Sequence, residues 1–184
     1  MRIHRLALIA FGLLAATGVR AAAQTTTDVR PRGFYASLTG AAGIHRTTCR
    51  VCEIGTIVGS AGALTVGGAL SPSLVLAGEV AAGYFHKRYV EDAFFQAGPA
   101  LVYYPSATQR FWLKAGAGFT VLIMGENDGG AVPGAAFTTG AGYDLPLAGA
   151  LAASPSVGFR YATGKDVHTA ALLAGVGVTL GARD

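Results

Sequence analysis

The chain has 184 residues, of which 52% are hydrophobic, 13% are charged and 27 are glycine, and its formal net charge is +4. This composition is too apolar for a disordered segment and too rich in glycine for a helical bundle, and the glycines lack the three-residue period of collagen. The length predicts one compact domain.

The first 23 residues have the pattern of a secretory signal peptide. A short basic region precedes the apolar run Leu6–Ala16, which is too short to cross a bilayer, and Ala21–Ala23 supplies small residues for cleavage. We expect the mature chain to begin at Gln24, with a short lead over residues 24–32. The signal peptide holds three of the 14 basic residues, which leaves 11 against 10 acidic ones. The basic charge is therefore no evidence for nucleic-acid binding.

Residues 33–184 predict a β-barrel domain. Beyond residue 23 no apolar run reaches the roughly 20 residues of a membrane helix, so any membrane-spanning structure there must be a barrel. Segments of about ten residues with alternating hydrophobicity are separated by turn residues, as is typical of membrane strands. They are Gly33–Gly43, Gly59–Leu70, Leu74–Phe85, Ala93–Tyr104, Phe111–Leu122, Gly134–Asp144, Ser154–Thr163 and Thr169–Gly181. We expect an all-β, eight-stranded antiparallel up-and-down transmembrane β-barrel.

The alternation assigns a lipid face and a lumen face to each segment. In the fifth, the odd positions from Phe111 to Val121 are apolar, and the even positions from Trp112 to Thr120 include glycine, threonine and lysine. The small inward residues predict a narrow, filled barrel without an open pore. Aromatic residues near strand ends are candidates for the two interfacial girdles. They are Phe34, Tyr84, Phe95, Tyr103, Phe111, Phe137, Tyr143, Phe159 and Tyr161.

Connection lengths give a second prediction, because membrane barrels have short periplasmic turns and longer outer loops. Counted from a periplasmic N-terminus, the turns are residues 71–73, 105–110 and 145–153. The outer loops are Ile44–Val58, His86–Asp92, Ile123–Pro133 and Gly164–His168. The short–long order holds for the first hairpins and is lost at the last.

The sequence resembles the small eight-stranded outer-membrane barrels of the OmpA and OmpX type over nearly the whole mature chain. It is also similar to a glycine-rich group of outer-membrane β-barrel proteins of uncharacterised function, through Cys49-Arg50-Val51-Cys52, Leu70-Ser71-Pro72 and Gly78-Glu79. It departs from many such barrels by ending at Asp184 without a terminal aromatic residue. The resemblance implies the bacterial outer membrane, contact with its lipids and lipopolysaccharide, and insertion by the barrel-assembly machinery. We expect a monomer without cofactors or metals.

Three charged side chains are expected in the lumen: Glu79, Lys114 and Arg160. Each lies on an odd-numbered segment at a similar distance from the periplasmic end, and a charge in a packed lumen must be paired. We therefore predict one network with an acid between two bases. A catalytic acid or ion path is the alternative, but the second acid or histidine that it needs is missing from the predicted layer. Asp144 is expected near the periplasmic rim, in contact with solvent.

Cys49 and Cys52 are the only cysteines and lie in the first predicted outer loop. Because an exported chain meets an oxidising periplasm, a local disulfide is predicted. A metal site is the alternative, with His45, both cysteines and Glu53 as ligands.

The expected function is that of a non-enzymatic integral barrel, structural or engaged in surface contacts through its outer loops. His86, Lys87 and Arg88 form a basic cluster suited to lipopolysaccharide phosphates.

Two other classes remain open. An outer-membrane lipid-modifying enzyme needs a nucleophile beside a histidine and an acid, and His168, Ser154 and Ser156 do not form a convincing set. A soluble periplasmic barrel for a small apolar ligand needs polar outward faces, whereas Phe, Leu and Val dominate them.

Overall fold

The computed structural model describes residues 33–49, 53–87, 90–106, 110–125 and 130–181. The predicted signal peptide and the lead to residue 32 lie outside these ranges. In chain order the strands are β1 (Phe34–Cys49), β2 (Glu53–Ser71), β3 (Leu74–Lys87), β4 (Val90–Tyr103), β5 (Phe111–Gly125), β6 (Ala131–Tyr143), β7 (Leu145–Pro146), β8 (Leu151–Gly164) and β9 (Val167–Gly181). Among the described residues no helix is long and apolar enough to cross a membrane.

Eight of the strands form a closed antiparallel barrel. β1 to β6 pair in sequence, β6 pairs with β8, and β8 pairs with β9. The barrel is closed by β1 and β9, which pair from Tyr35↔Gly181 to Cys49↔Val167. The two-residue strand β7 pairs only with β8. The predicted eight-stranded up-and-down barrel is confirmed.

The strands are strongly staggered around the barrel. Following the paired residues once around the barrel from Tyr35 on β1 leads back to β1 at His45, which is ten residues beyond Tyr35. The residues passed on the way are Gly67, Ala77, Ala100, Gly116, Thr138, Arg160 and Ala171. For eight strands this stagger corresponds to a tilt of about 40° and a radius of about 8 Å. From one strand to the next in chain order, the paired residue therefore lies about 1.25 residue positions nearer the distal end of the barrel, the end opposite Phe34.

The two ends of the barrel differ from the predicted pattern. At the terminal end, where Phe34 and Gly181 lie, residues 72–73, 104–110 and 144–150 connect the strands. At the opposite, distal end the connections are residues 50–52, 88–89, 126–130 and 165–166. The predicted order of short periplasmic turns and long outer loops is wrong, because the strands continue through most of the predicted loops. β1, for example, runs to Cys49 and not to Gly43.

The outer face of the barrel is apolar, as the alternation predicts. Leu64, Phe119 and Val157 are each about half exposed or more, whereas the lumen-facing Trp112 and Thr120 are buried. Aromatic residues form two rings on this face. The terminal-end ring contains Phe34, Tyr103, Phe111 and Tyr143, and the distal ring contains Tyr84, Phe95, Phe137 and Tyr161.

The spacing of the rings fits a bilayer. Phe95 and Tyr103 lie eight residues apart on β4, which at this tilt is about 20 Å along the barrel axis. Outer-membrane barrels carry an apolar band about 25 Å tall. A soluble barrel needs the opposite pattern, with polar side chains outward. At the distal end the strands extend several residues beyond the distal ring.

Candidate functional site

Glu79 and Lys114 form an ion pair in the middle of the lumen. Glu79 on β3 is 4% exposed, and the ammonium of Lys114 on β5 donates to its Oε2 atom. Two hydroxyls also donate to this carboxylate, Thr65 Oγ1 to Oε2 at 3.1 Å and Thr138 Oγ1 to Oε1 at 3.5 Å. Charge-assisted hydrogen bonds and the ammonium together compensate much of the desolvation of Glu79.

Arg160 belongs to a separate cluster. Its guanidinium donates from Nε to Gln96 Oε1 at 2.9 Å and from Nη2 to Thr120 Oγ1 at 2.7 Å, and it lies 3.8 Å from the ring centre of Phe94. A weaker contact of 3.4 Å joins Nη1 to Thr169. Within the described part of the chain, no carboxylate lies within ion-pair distance of Arg160.

The structure thus divides the predicted network into two clusters. Glu79 and Lys114 are together, whereas Arg160 on β8 lies roughly three residue positions nearer the distal end than Glu79, because the stagger accumulates from β3 to β8. Counting residues from strand ends ignores this shift, and for that reason the sequence placed all three at one level.

Asp144 holds a buried layer at the terminal end. It is 4% exposed and accepts from Tyr104 Oη at 3.0 Å, Trp112 Nε1 at 3.0 Å and Ser154 Oγ at 2.6 Å. Burial, followed by the charge of Asp144, raises the pKa of Tyr104 above its ordinary value, so the phenol stays protonated and donates. The expected contact of Asp144 with solvent is wrong, because side chains from β5, from β8 and from the connection after β4 bury its carboxylate.

A third polar cluster lies above the distal aromatic ring. Thr47 Oγ1 donates its single hydroxyl proton to Asp92 Oδ2 at 2.7 Å. The His45 Nε2 atom lies 2.8 Å from the same hydroxyl oxygen, and it must therefore be the donor in that hydrogen bond. His45 also stacks on Phe85, with 4.5 Å between ring centres. Sequence reasoning placed Thr47 and Asp92 in loops. The signal that it missed is the continued alternation of His45, Thr47 and Cys49.

Apolar side chains seal the lumen at two levels. At the terminal end, Tyr35, Val75, Val102, Tyr104 and Trp112 pack together around the Asp144 layer. At the distal end a second cluster contains Ile57, Phe85, Phe94, Leu122 and Val167, beside His45 and Asp92. All of these side chains are buried. Buried side chains thus occupy the described lumen at both levels.

Between the two seals lies a cavity of about 90 Å³. Glu79, Lys114 and Thr138 line one side. The lining also includes the larger residues Phe94, Trp112, Val157, Phe159, Arg160 and Leu173, and small residues such as Thr39, Ala41, Ala61, Ala63, Gly140, Ser156, Gly158 and Gly175. We call this space the lumen chamber.

The cysteine predictions lie partly outside the described residues. Cys49 ends β1 at the distal end, whereas Cys52 is not described, so the disulfide stays a prediction. Four residues of strand separate His45 from Cys49, about 13 Å, which is too far for both to bind one metal ion without rearrangement. Among the described residues, no three His, Cys, Asp or Glu side chains form a metal site.

The remaining predicted residues do not assemble into a catalytic set. His168 is exposed on the outer face, where Tyr161 Oη lies 3.2 Å from its Nδ1 atom. Ser154 lies inside the barrel on the Asp144 carboxylate, and Ser156 faces the lumen chamber. Of the basic cluster, His86 is exposed beside Glu91, at 3.5 Å. The side chains of Lys87 and Arg88 lie outside the described residues.

Solved structures with a similar fold are small outer-membrane barrels. Ail, the attachment invasion locus protein of Yersinia pestis, aligns with a TM-score of 0.57 and 12% identity over 81% of this chain and 99% of Ail. Neisserial surface protein A aligns with a TM-score of 0.55 and 16% identity over 82% of this chain and 97% of its own. No protein-family model and no curated protein matches the sequence. At these identities the likeness concerns the fold alone.

Proposed function

We propose that this chain, an integral β-barrel of the bacterial outer membrane, is a non-conducting protein without enzymatic activity that acts as a structural element or through contacts at its distal rim. Its partners are then the surrounding lipids and lipopolysaccharide, with the barrel-assembly machinery during insertion. The barrel acts as a monomer and needs no cofactor.

The closed lumen is the observation that carries this proposal. A pore needs a continuous hydrated path, and here two buried layers interrupt it. One is the Asp144 layer with Tyr104 and Trp112, and the other is the distal cluster around Phe85 and Phe94. Each layer is held by specific contacts, so opening one of them leaves the other closed.

The distal rim is the surface best suited to contacts. The described strands extend beyond the distal aromatic ring, so this part of the rim continues the barrel wall. Polar side chains on its outer side include the exposed His86, Glu91 and His168. Tyr84 stacks on His86 and Tyr161 stacks on His168, so both imidazoles lie beside the distal aromatic ring, at the level of the lipid headgroups.

Conductance of purified protein in planar bilayers tests the proposal. The protein is first shown to be folded by its shift between boiled and unboiled samples on a denaturing gel, and to be in the outer-membrane fraction of cells. We expect the folded protein to leave the bilayer resistance unchanged across a range of voltages. Reproducible single-channel steps from heat-modifiable protein would contradict a non-conducting role.

The enzymatic alternative is tested separately. Lipopolysaccharide from cells with and without the protein is compared by mass spectrometry of its lipid A. We expect identical acylation. A mass change that disappears in a His168→Ala variant, with normal amounts of folded barrel, would make a lipid-modifying enzyme the better interpretation.

A further inference from the structure

The distal polar cluster contains two buried atoms that have no hydrogen-bond partner within the described part of the chain, His45 Nδ1 and Asp92 Oδ1. His45 is 3% exposed and Asp92 is 4% exposed, so bulk solvent does not reach these atoms. Because Nε2 of His45 donates its hydrogen to Thr47, Nδ1 of a neutral imidazole carries only a lone pair. Both atoms are therefore bases, and a proton is the ligand that they can bind without additional space.

The charge of the cluster favours the uptake of one proton. With a neutral His45 the cluster holds one uncompensated negative charge, because the groups beside the Asp92 carboxylate are the hydroxyl of Thr47 and the imidazole. A buried charge without a counter-charge is costly. A proton on Nδ1 makes His45 a cation whose Nε2 lies 3.4 Å from Asp92 Oδ2, which is within ion-pair distance. The cluster is then neutral.

The surroundings of His45 tolerate this cation. Its ring stacks on Phe85, with 4.5 Å between the ring centres, and the face of an aromatic ring attracts a cation. Thr47 keeps both of its hydrogen bonds, because Nε2 of His45 donates in either protonation state. Nδ1 lacks a described partner in both states, so its hydrogen bonding does not favour the neutral imidazole.

Few other titratable groups face the pair from the strands around it. At this level β2, β3, β5, β6 and β9 contribute apolar buried residues, which are Ile57, Phe85, Leu122, Ala136 and Val167. On β8, Arg160 lies nearer the terminal end and binds Gln96. Cys49 on β1 and Lys87 on β3 are the last residues of their strands, and the side chain of Lys87 lies outside the described residues.

The pair joins two strands that are not neighbours in the sheet. His45 lies on β1 and Asp92 on β4, so their contact crosses the distal lumen. Beside it, the register of β1 and β2 shifts between His45 and Thr47, and such a shift disrupts the backbone ladder locally. Beyond the shift, the contact across the lumen adds to the pairing with β9 that holds the distal end of β1.

We propose that His45 and Asp92 form a proton-binding clasp that tightens the distal end of the barrel at acidic pH. One proton from solvent binds to the pair, completes the ion pair and holds β1 to β4; the N–H bond is the only bond that forms. As the pH rises through the range in which histidines lose their charge, roughly pH 5 to 8, Asp92 loses its counter-charge and the distal strand ends separate more readily. The stiffness of the distal rim is thus set by the surrounding pH.

NMR of the imidazole nitrogens tests proton binding directly, on the unaltered barrel in lipid nanodiscs. We expect His45 Nδ1 to carry a proton at about pH 5 and to lose it on titration with base, while Nε2 keeps its hydrogen throughout. A His45 imidazole that is still neutral at about pH 5 would overturn the proposal.

Unfolding in urea, in lipid vesicles, measures the coupling of this proton to stability. A pair that binds its proton more tightly in the folded chain than in the unfolded one stabilises the barrel at low pH, and this contribution is lost as the pH rises. We expect the equilibrium constant for unfolding to be about tenfold smaller at pH 5 than at pH 8. The difference disappears in His45→Gln, which keeps an N–H donor but binds no proton, and in Asp92→Asn.

His86→Gln is the matched control. His86 and Glu91 lie 3.5 Å apart, as close as the buried pair, but both are exposed on the outer face. Because solvent screens an exposed pair, we expect this variant to keep the pH dependence of the unaltered barrel. A dependence that persists in His45→Gln, or that vanishes in His86→Gln, would assign the effect to another group and overturn the proposal.

Lys87→Met tests whether a fixed cation balances Asp92 instead. We expect this variant to show the same pH dependence of unfolding as the unaltered barrel. A dependence that is absent from the unaltered barrel and appears only in Lys87→Met would show that the ammonium is the counter-charge, and would overturn the proposal.

Hydrogen exchange locates the effect in the unaltered protein and needs no variant to fold. On acidification over the same range, we expect the protection factors of the His45 and Ala93 amides to rise about tenfold, and those of Leu38 and Leu101 nearer the terminal end to rise less. A rise that is no larger at the distal end would overturn the proposal. Conductance enters none of these measurements, so failure of the clasp and failure of the proposed function are distinguishable.

Discussion

Two double-mutant cycles test the division of the lumen charges into separate clusters. Glu79→Gln leaves the Lys114 ammonium without its counter-charge, which costs about 3–5 kcal/mol in a dry interior. Lys114 is 19% exposed and lines the chamber, so we expect the lower end of this range. Lys114→Met leaves Glu79 with the hydroxyls of Thr65 and Thr138 and costs about 2 kcal/mol.

The two substitutions together remove both charges, and the double variant is therefore less destabilised than the sum of the single ones. We expect a coupling energy of about 2 kcal/mol for this pair. Glu79→Gln and Arg160→Met share no partner, so their effects add to within about 0.5 kcal/mol.

Reversible unfolding in urea, in lipid vesicles, measures all the variants. Trp112 is the single tryptophan of the chain and lies in the terminal-end layer, so its fluorescence reports the folded barrel in each variant. A coupling between Glu79 and Arg160 as large as that between Glu79 and Lys114 would refute the separation of the clusters. Additive effects for Glu79 and Lys114 would refute the ion pair.

Three further predictions concern the outer face and the two seals. Leu64→Arg, near the middle of the apolar band, lowers the free energy of unfolding by about 2–4 kcal/mol. Leu113→Arg, two residues from the terminal-end ring, lowers it by about 1 kcal/mol. Equal losses for the two variants in the same urea assay would contradict this placement of the barrel in the membrane. Asp144→Asn weakens three hydrogen bonds, lowers stability by about 2 kcal/mol and shifts the emission of Trp112, and an unchanged spectrum would contradict the buried layer. Phe85→Ala costs about 3–5 kcal/mol but leaves planar bilayers non-conducting, because the Asp144 layer still closes the lumen; channel activity in this variant would show that the distal seal alone closes the barrel.

The fold was predictable because the signal of a membrane strand is local. Side chains alternate between lipid and lumen at every second residue, so the positions from Leu172 to Leu180 identify both faces of β9 without knowledge of its neighbours. Turn residues such as Pro72 then separate the strands, and their even number follows from counting.

The distal strand ends were less predictable, because polar residues in a lumen have the composition of loop residues. His45, Thr47 and Asp92 face inward and are buried, yet in sequence they belong to hydrophilic stretches. Only the continued alternation of inward and outward side chains distinguishes these residues from a loop.

Contacts across the lumen were beyond the reach of the sequence pattern, because they depend on the stagger. The ten-residue shift around the barrel determines which side chains share a level, and it follows from pairings between all eight strands. It separates Arg160 from Glu79 and brings Asp144 under Tyr104 and Trp112. No single segment contains that information.

The closing pair of strands has a consequence for assembly. β1 and β9 lie at opposite ends of the folded sequence and pair along fifteen residues, from Tyr35 to Cys49. Until they meet, each presents an unpaired strand edge whose backbone groups lipid cannot satisfy. Contacts of such large sequence separation form slowly. Closure and entry into the bilayer must therefore occur as one concerted step, and a chain that lacks β9 would remain an open, aggregation-prone sheet rather than a smaller barrel.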